Sequence, residues 1–109
     1  MSKSLMSLLL ACGLTAFATQ SFADVKAGEA VAKGSDCMLC HAVDKVVVGP
    51  SMKDIAAKYK GADKAQIAKL AEKVKTGGSG NWGTTPMAPH PALSEADRIS
   101  AVEWVLSHK

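Results

Sequence analysis

The residues with the clearest chemical meaning are Cys37-Met38-Leu39-Cys40-His41, two cysteines three positions apart followed directly by a histidine. This C-x-x-C-H spacing is typical of covalent haem attachment. Each thiol can add across one vinyl group of the porphyrin, and the next residue then lies beneath the ring plane, where a histidine nitrogen can bind iron. The pattern predicts one haem c attached through Cys37 and Cys40, with His41 as an axial ligand.

Other kinds of site also use paired cysteines. A zinc knuckle usually needs a second Cys/His pair at similar spacing, and residues 24–109 contain none. A thioredoxin-like C-x-x-C motif needs a βαβ context, which the sequence does not indicate. A disulfide, or two buried cysteines beside an unrelated histidine, is the alternative that the motif alone leaves open.

The N-terminus has the features of a secretory signal peptide. Lys3 gives a positive start, residues 5–14 are apolar, and Ser21-Phe22-Ala23 matches a small-x-small cleavage pattern. The apolar stretch is too short for a stable membrane span. We expect residues 1–23 to be removed on export to the periplasm, which suits haem attachment outside the cytoplasm. Lipidation at Cys12 is the alternative.

Residues 24–109 would then form a single small domain. Tyr59, Trp82 and Trp104 are the only aromatic residues in it, so the protein alone has a marginal core. A covalently held haem would supply a large apolar plate for short helices to pack around. We therefore expect the haem-free chain to be largely unfolded.

Hydrophobic periodicity and capping signals predict an all-α fold with four short helices. The predicted helices run from an Asp24 cap to about Gly34, from Met52 to Lys60 behind a Ser51 cap, from about Asp63 to Thr76, and from Ser94 to the C-terminus. In the first helix we expect Ala27, Ala30 and Val31 to share the buried face, and Gly28 to allow a close helix crossing. The run Val46-Val47-Val48 has strand-like residues but no partner strand.

The long irregular stretch Gly77–Leu93 is expected to supply the second axial ligand, because long loops in compact domains are usually functional. Met87 lies in Thr85-Pro86-Met87-Ala88-Pro89, where prolines on both sides restrict the backbone. A thioether paired with a histidine raises the reduction potential relative to two histidines. Core filling is the ordinary role of a lone methionine.

The other candidates for the second ligand are weaker. His90 is the rival in the same loop. Met38 is held inside the attachment motif, and Met52 is expected on the same side as His41. His108 is expected to be a solvated residue near the C-terminus, and Trp104 to pack the last helix onto the first.

The sequence resembles the small bacterial monohaem class I c-type cytochromes of the c551/c552 (cytochrome c8) family. The resemblance covers nearly all of residues 24–109, and it is carried by Cys37–His41, Val48-Gly49-Pro50, Asn81-Trp82-Gly83, Pro86-Met87 and Trp104-Val105-Leu106. It implies a small all-α cytochrome c fold of about four to five short helices wrapped around one haem, with His41 as the proximal and Met87 as the distal ligand.

The resemblance also implies roles for three other residues. The carbonyl of Pro50 would accept the second ring N–H of His41, which fixes the orientation of the ring and its basicity. Trp82 would donate its indole N–H to a haem propionate. Lys73 stands where the family often has an arginine near the propionates, and a lysine cannot form the same bidentate contact.

Two positions depart from the family pattern. His90 stands where relatives often carry an amide that hydrogen-bonds the ligand sulfur, and a histidine there would make the potential pH-sensitive near neutrality. Ala32 stands where an aromatic residue often packs, so we expect a looser contact of the first helix.

A six-coordinate haem has no open position, so the predicted function is one-electron transfer in the periplasm and not enzymatic turnover. We expect transient docking of redox partners on an apolar patch around the haem edge. The residues of this docking patch are Met38, Leu39, Val46, Val47, Pro86, Ala88 and Pro89. Nitrite reductase, cytochrome c peroxidase and terminal oxidases are served by similar proteins.

The charge of the chain argues against a nucleic-acid partner. The formal net charge of +3 falls to +2 when Lys3, the single charged residue of the predicted signal peptide, is removed. We expect a monomer without stable membrane insertion. A haem enzyme or gas sensor with a labile Met87, and a docking subunit of a larger oxidoreductase, are the alternatives.

Overall fold

A computed structural model describes residues 22–109, with side chains from Val25 onward. Within that range the chain forms five helices: α1 (Phe22–Gly34), α2 (Cys37–Cys40), α3 (Met52–Lys58), α4 (Lys64–Thr76) and α5 (Glu95–Leu106). The extended pairing among these residues is limited to two isolated bridges, His41 with Val46 and Gly78 with Met87. The all-α prediction is therefore confirmed. None of the described helices is long and apolar enough to cross a membrane.

Side-chain caps start the three helices that follow the cysteine motif. Each cap accepts a backbone amide three residues ahead, which satisfies a donor that the helix itself leaves free. The pairs are Ser51 Oγ with Asp54 N at 3.1 Å, Asp63 Oδ1 with Gln66 N at 2.9 Å, and Ser94 Oγ with Asp97 N at 3.1 Å. The predicted starts are confirmed, while α3 ends at Lys58 and not at Lys60.

Helix α1 differs from its prediction in two ways. It begins at Phe22, so Asp24 lies inside the helix and is not its N-cap. Ala27 and Ala30 are exposed, Val31 is half-buried, and the buried positions are Gly28 and Ala32. The predicted face was wrong at both alanines because small residues lie all around this helix and give no clear period.

Gly28 is the point at which α1 crosses α5. A Cβ at Gly28 would lie 1.9 Å from the carbonyl oxygen of Ser100 and 2.8 Å from Cβ of Trp104. The two backbones thus approach more closely than any side chain would allow. The predicted close crossing is confirmed.

The core consists of two small clusters that meet on α5. Ala32, Met52 and Trp104 form the first cluster, which confirms that Trp104 packs α5 onto α1. Ala32 is 0% exposed, so α1 is in contact with the core at this position. Buried Met52 lies beside Ala32 in this cluster. The second cluster joins α4 to α5 through Ile67, Ala71 and Val102.

His108 is not a solvated tail residue. Its ring packs edge-on against Trp104, with ring centroids 4.8 Å apart and an interplanar angle of 85°. Its Nδ1 lies 3.1 Å from the carbonyl oxygen of Val105, to which it donates. The prediction failed because α5 carries Trp104 to within one helical turn of the end of the chain.

Candidate haem site

The two cysteines of the motif stand at the ends of α2, a single helical turn. Leu39 N donates to Asp36 O at 3.1 Å, and His41 N donates to Cys37 O at 3.0 Å. Both cysteines are free thiols, so the disulfide interpretation has no support. Burial raises the pKa of the Cys37 thiol, and nearby Asp36 adds to this effect. The short turn therefore presents two free thiols and the histidine within five residues.

The imidazole of His41 is fixed by a backbone carbonyl. Its Nδ1 lies 2.8 Å from the oxygen of Pro50. Because a carbonyl oxygen can only accept, Nδ1 carries the proton and Nε2 keeps its lone pair. This is the contact that the resemblance implied between His41 and Pro50, and it leaves Nε2 as the nitrogen that can bind iron.

Gly49 provides the space for the His41 ring. A Cβ at Gly49 would lie 2.5 Å from Cε1 of His41 and 3.0 Å from Nδ1. The amides of Val48 and Gly49 both donate to the Cys40 carbonyl, at 3.2 and 2.9 Å. This role of Gly49 was not predicted, although its place directly before Pro50 in the Val48-Gly49-Pro50 string was a signal.

The start of α3 holds the other side of the His41 loop. Met52 N donates to the carbonyl of Ala42 at 2.9 Å, and Lys53 N donates to that of Val43 at 3.0 Å. These amides belong to the first turn of α3 and have no acceptor within the helix. The loop that carries His41 is thereby tied to a helix whose Met52 lies in the core.

Met87 is held by the backbone at the end of α4. Met87 N donates to Gly78 O at 2.9 Å, and Gly78 N donates to Met87 O at 3.0 Å. Gly77, with φ of 66°, ends α4, and a Cβ there would lie 2.5 Å from the Met87 oxygen. Prolines on both sides were expected to restrain Met87. The structure adds a two-bond pairing with Gly78 that no pattern in the sequence indicates.

The segment after Met87 is tied to both α4 and α5. His90 N donates to the carbonyl of Val74 at 2.9 Å, and buried Arg98 donates to that of Leu93. The Nδ1 atom of His90 is buried without a hydrogen-bond partner among the described residues. His90 also lines a pocket of about 240 Å³, together with Ser35, Asp36, Pro89, Pro91, Ala92 and Leu93.

The two residues that the resemblance connects with the propionates lie on or near the Met87 loop. Trp82 is 42% exposed, and its ring lies beneath the amino group of Lys58. Lys73 is partly buried on α4, with Nζ 3.1 Å from the position of a Cβ on Gly78. Lys73 therefore lies against the residue that pairs with Met87.

This set of residues fits a covalently attached haem. It offers two free thiols, an imidazole with a fixed tautomer, and a thioether on an anchored segment. Large apolar side chains near the motif are exposed in the protein alone, with Leu39 at 72% and Val46 at 67%. Among residues 22–109 no cluster of three or more His, Cys, Asp and Glu could hold a metal ion, so a zinc knuckle has no support.

Comparison with known proteins decides the family. A cytochrome c family model matches residues 25–109. This chain belongs to the cytochrome c family. It is 53% identical over 83 residues to cytochrome c-551 of Azotobacter vinelandii, covering 75% of this chain and 98% of that protein. It is 49% identical over 80 residues to cytochrome c-552 of Nitrosomonas europaea, covering 72% of this chain and 76% of that protein.

Solved cytochrome structures share the fold. The crystal structure of Nitrosomonas europaea cytochrome c552 matches with a TM-score of 0.67 at 46% identity, covering 74% of this chain and 99% of that one. The class 1 cytochrome MtoD of Sideroxydans lithotrophicus ES-1 matches with a TM-score of 0.63 at 33% identity, covering 77% and 95%. The resemblance to the c551/c552 type is confirmed. This cytochrome c carries one haem c, attached through Cys37 and Cys40, and is a small haem electron carrier.

Proposed function

We propose that this cytochrome c is a periplasmic one-electron carrier, and not an enzyme, with His41 and Met87 as its axial ligands. The observation that supports this best is the 2.8 Å contact between His41 Nδ1 and the Pro50 carbonyl. It fixes the ring and leaves Nε2 free to act as a ligand. When bound, the haem supplies the iron that changes its oxidation state by one electron.

The chain's own contribution is to keep both ligands in place in both oxidation states. The Pro50 carbonyl holds the His41 ring and increases its basicity, and Gly49 leaves room for it. The two hydrogen bonds between Met87 and Gly78 restrain the segment that carries Met87. Because each ligand is tied to a helix end, little rearrangement should accompany electron transfer.

Trp82 and Lys73 are proposed to bind the haem propionates. The indole N–H of Trp82 has no protein acceptor within the described part of the chain, so it can donate to a carboxylate. Lys73 brings a positive charge beside Gly78. A lysine contributes there as a point charge and not as a planar fork. His90, with its unpartnered Nδ1, is the candidate partner for the Met87 sulfur.

The docking patch is proposed as the surface for redox partners. All seven of its residues are exposed in the structure. Small apolar surfaces of this kind suit transient electron-transfer encounters, which bury little area and must separate quickly. Redox proteins such as nitrite reductase, cytochrome c peroxidase or a terminal oxidase are the proposed partners.

Export is proposed to remove residues 1–23. Intact-mass measurement of the haem-loaded protein from the periplasm should give the mass of residues 24–109 plus one haem. A mass that retains Cys12 with a lipid attached would show that the N-terminus is an anchor and not a cleaved signal.

The ferric and ferrous absorption spectra, with and without carbon monoxide, test the proposed ligands. We expect a low-spin spectrum with the weak far-red sulfur-to-iron band and no response of the reduced protein to the gas. The Met87→Ala variant should lose the band, become high-spin and bind carbon monoxide.

Met38→Ala is the matched control, because it removes an exposed methionine next to the attachment cysteine. This variant should keep the far-red sulfur-to-iron band, and its reduced form should not respond to carbon monoxide. Rapid binding of the gas by the unmodified protein would overturn the carrier proposal in favour of catalysis or gas sensing.

A further inference from the structure

Trp82 lies in a segment with few attachments to the helices. Residues 79–86 connect Gly78, two residues beyond the end of α4, to Met87. Within the described part of the chain, the hydrogen bond from Gly80 N to Gly83 O, 2.9 Å long, closes inside this segment. One described hydrogen bond leaves it, from the amino group of Lys58 to the carbonyl of Asn81 at 2.8 Å.

The same amino group also covers the Trp82 ring. Lys58 Nζ lies 4.4 Å from the centroid of the Trp82 ring and 5.5 Å from that of Tyr59. A cation over an aromatic face within about 6 Å is attracted by the ring quadrupole. One charged group therefore holds the backbone before Trp82 and the ring of Trp82 together, across 23 residues of sequence.

We propose that Lys58 is a positioning residue that fixes Trp82 from the end of α3. The hydrogen bond to Asn81 sets the backbone of the segment, and the ring contact sets the indole orientation. The importance of Lys58 for electron transfer rests on the proposed role of Trp82 as a propionate donor. The positioning of Trp82 by Lys58 does not depend on that role.

Helix α3 thereby links the loop that carries His41 to the segment that carries Trp82. Met52 N and Lys53 N in its first turn donate to the carbonyls of the His41 loop, and its last residue, Lys58, donates to the Trp82 segment. The helix spans Met52–Lys58, about 10 Å at 1.5 Å per residue. A rigid element of this length keeps the Trp82 segment at a fixed distance from the loop that carries His41.

The test is ¹⁵N relaxation of the reduced, haem-loaded protein, read at the Trp82 backbone amide and at its indole nitrogen. In Lys58→Gln we expect the order parameters at both nitrogens to fall from about 0.85, the value of a rigid site, to below about 0.6. Lys58→Arg should restore them, because a guanidinium can still donate to Asn81 and stack on the ring.

Lys60→Gln is the matched control. It removes the same charge two residues further along the chain, and the side chain of Lys60 is exposed and has no described contact. Its order parameters should be unchanged, and its reduction potential should shift less than that of Lys58→Gln. Equal order parameters in the two glutamine variants would overturn the proposal. If Trp82→Phe left the potential unchanged while Lys58→Gln loosened the segment, only the propionate role would fail.

Discussion

Gly49 shows how one residue without a side chain can determine the geometry of a ligand. Its Cα lies against the His41 ring, and a Cβ would approach Cε1 to 2.5 Å. Real Cβ atoms do not come that close, so the ring or the loop must move. Such a movement would lengthen the hydrogen bond from His41 to Pro50, which sets the tautomer of the ligand.

We therefore predict that Gly49→Ala perturbs the proximal ligand. Overpacking of this kind typically costs about 1–3 kcal/mol of stability. Guanidinium unfolding of the haem-loaded variant should show a lower midpoint, and its ferric spectrum should change. Gly34→Ala is the control, because nothing lies within 4 Å of a Cβ at that position. An unaltered spectrum and midpoint in Gly49→Ala would show that the loop absorbs the methyl group without strain.

Residues with local chemical patterns could be predicted from the sequence, and residues that act through distant contacts could not. Cys37, Cys40 and His41 share one short motif, and its spacing predicts haem attachment with His41 as an axial ligand. Nothing in the sequence distinguishes Lys58 from the other lysines, because its partner Asn81 lies 23 positions away. No period or propensity in the chain connects two such positions.

At the scale of elements, the crossing of α1 and α5 depends on Gly28. Alanine normally favours a helix over glycine by about 1 kcal/mol. At Gly28 this gain is outweighed, because the new Cβ would meet the Ser100 carbonyl at 1.9 Å and force the helices apart.

We expect Gly28→Ala to lower the free energy of unfolding by about 1–3 kcal/mol, as overpacked cores do. Chemical denaturation followed by circular dichroism measures this directly. Gly34→Ala, in the same helix but in open space, should be neutral or slightly stabilising. A stabilised Gly28→Ala variant would mean that α1 and α5 separate at little cost.

The caps of α3 and α5 allow a second comparison between elements. Ser51 and Ser94 both accept an amide at 3.1 Å, and replacing such a cap by alanine costs about 1 kcal/mol. Only Ser51 adjoins Pro50, the acceptor of the His41 ring. Ser51→Ala and Ser94→Ala should lose similar stability, while only Ser51→Ala should shift the NMR resonance of the His41 Nδ1 proton. Equal shifts in both variants would show that the Ser51 cap has no specific effect on the His41 ligand.

Helix starts with a polar cap could be predicted from the sequence, and helix faces without large residues could not. Ser51, Asp63 and Ser94 identify their helices because a side chain must satisfy the first free amides. In α1 the apolar residues are mostly alanine and glycine, so no face is clearly more apolar. The packing against Trp104 decides the buried side, and that contact belongs to the tertiary structure.

At the scale of the whole molecule, the protein part of the core is small. Eight hydrophobic residues are buried among those described, and half of them are alanines. Met52 is the one large side chain that is completely buried in this part of the chain. Two clusters of this size supply little apolar burial, and small domains with such cores usually need a cofactor, a metal or disulfides.

We therefore expect the helices to depend on the attached haem. The double variant Cys37→Ala/Cys40→Ala removes both attachment points, and its far-ultraviolet circular dichroism should lose most of the helical signal at 25 °C, because binding energy that stabilises the folded state is lost. Met87→Ala is the control, since it keeps both cysteines and should retain the helices. A double variant with the full helical signal and a cooperative thermal transition would show that the Ala32 and Ile67 clusters fold the chain without the cofactor.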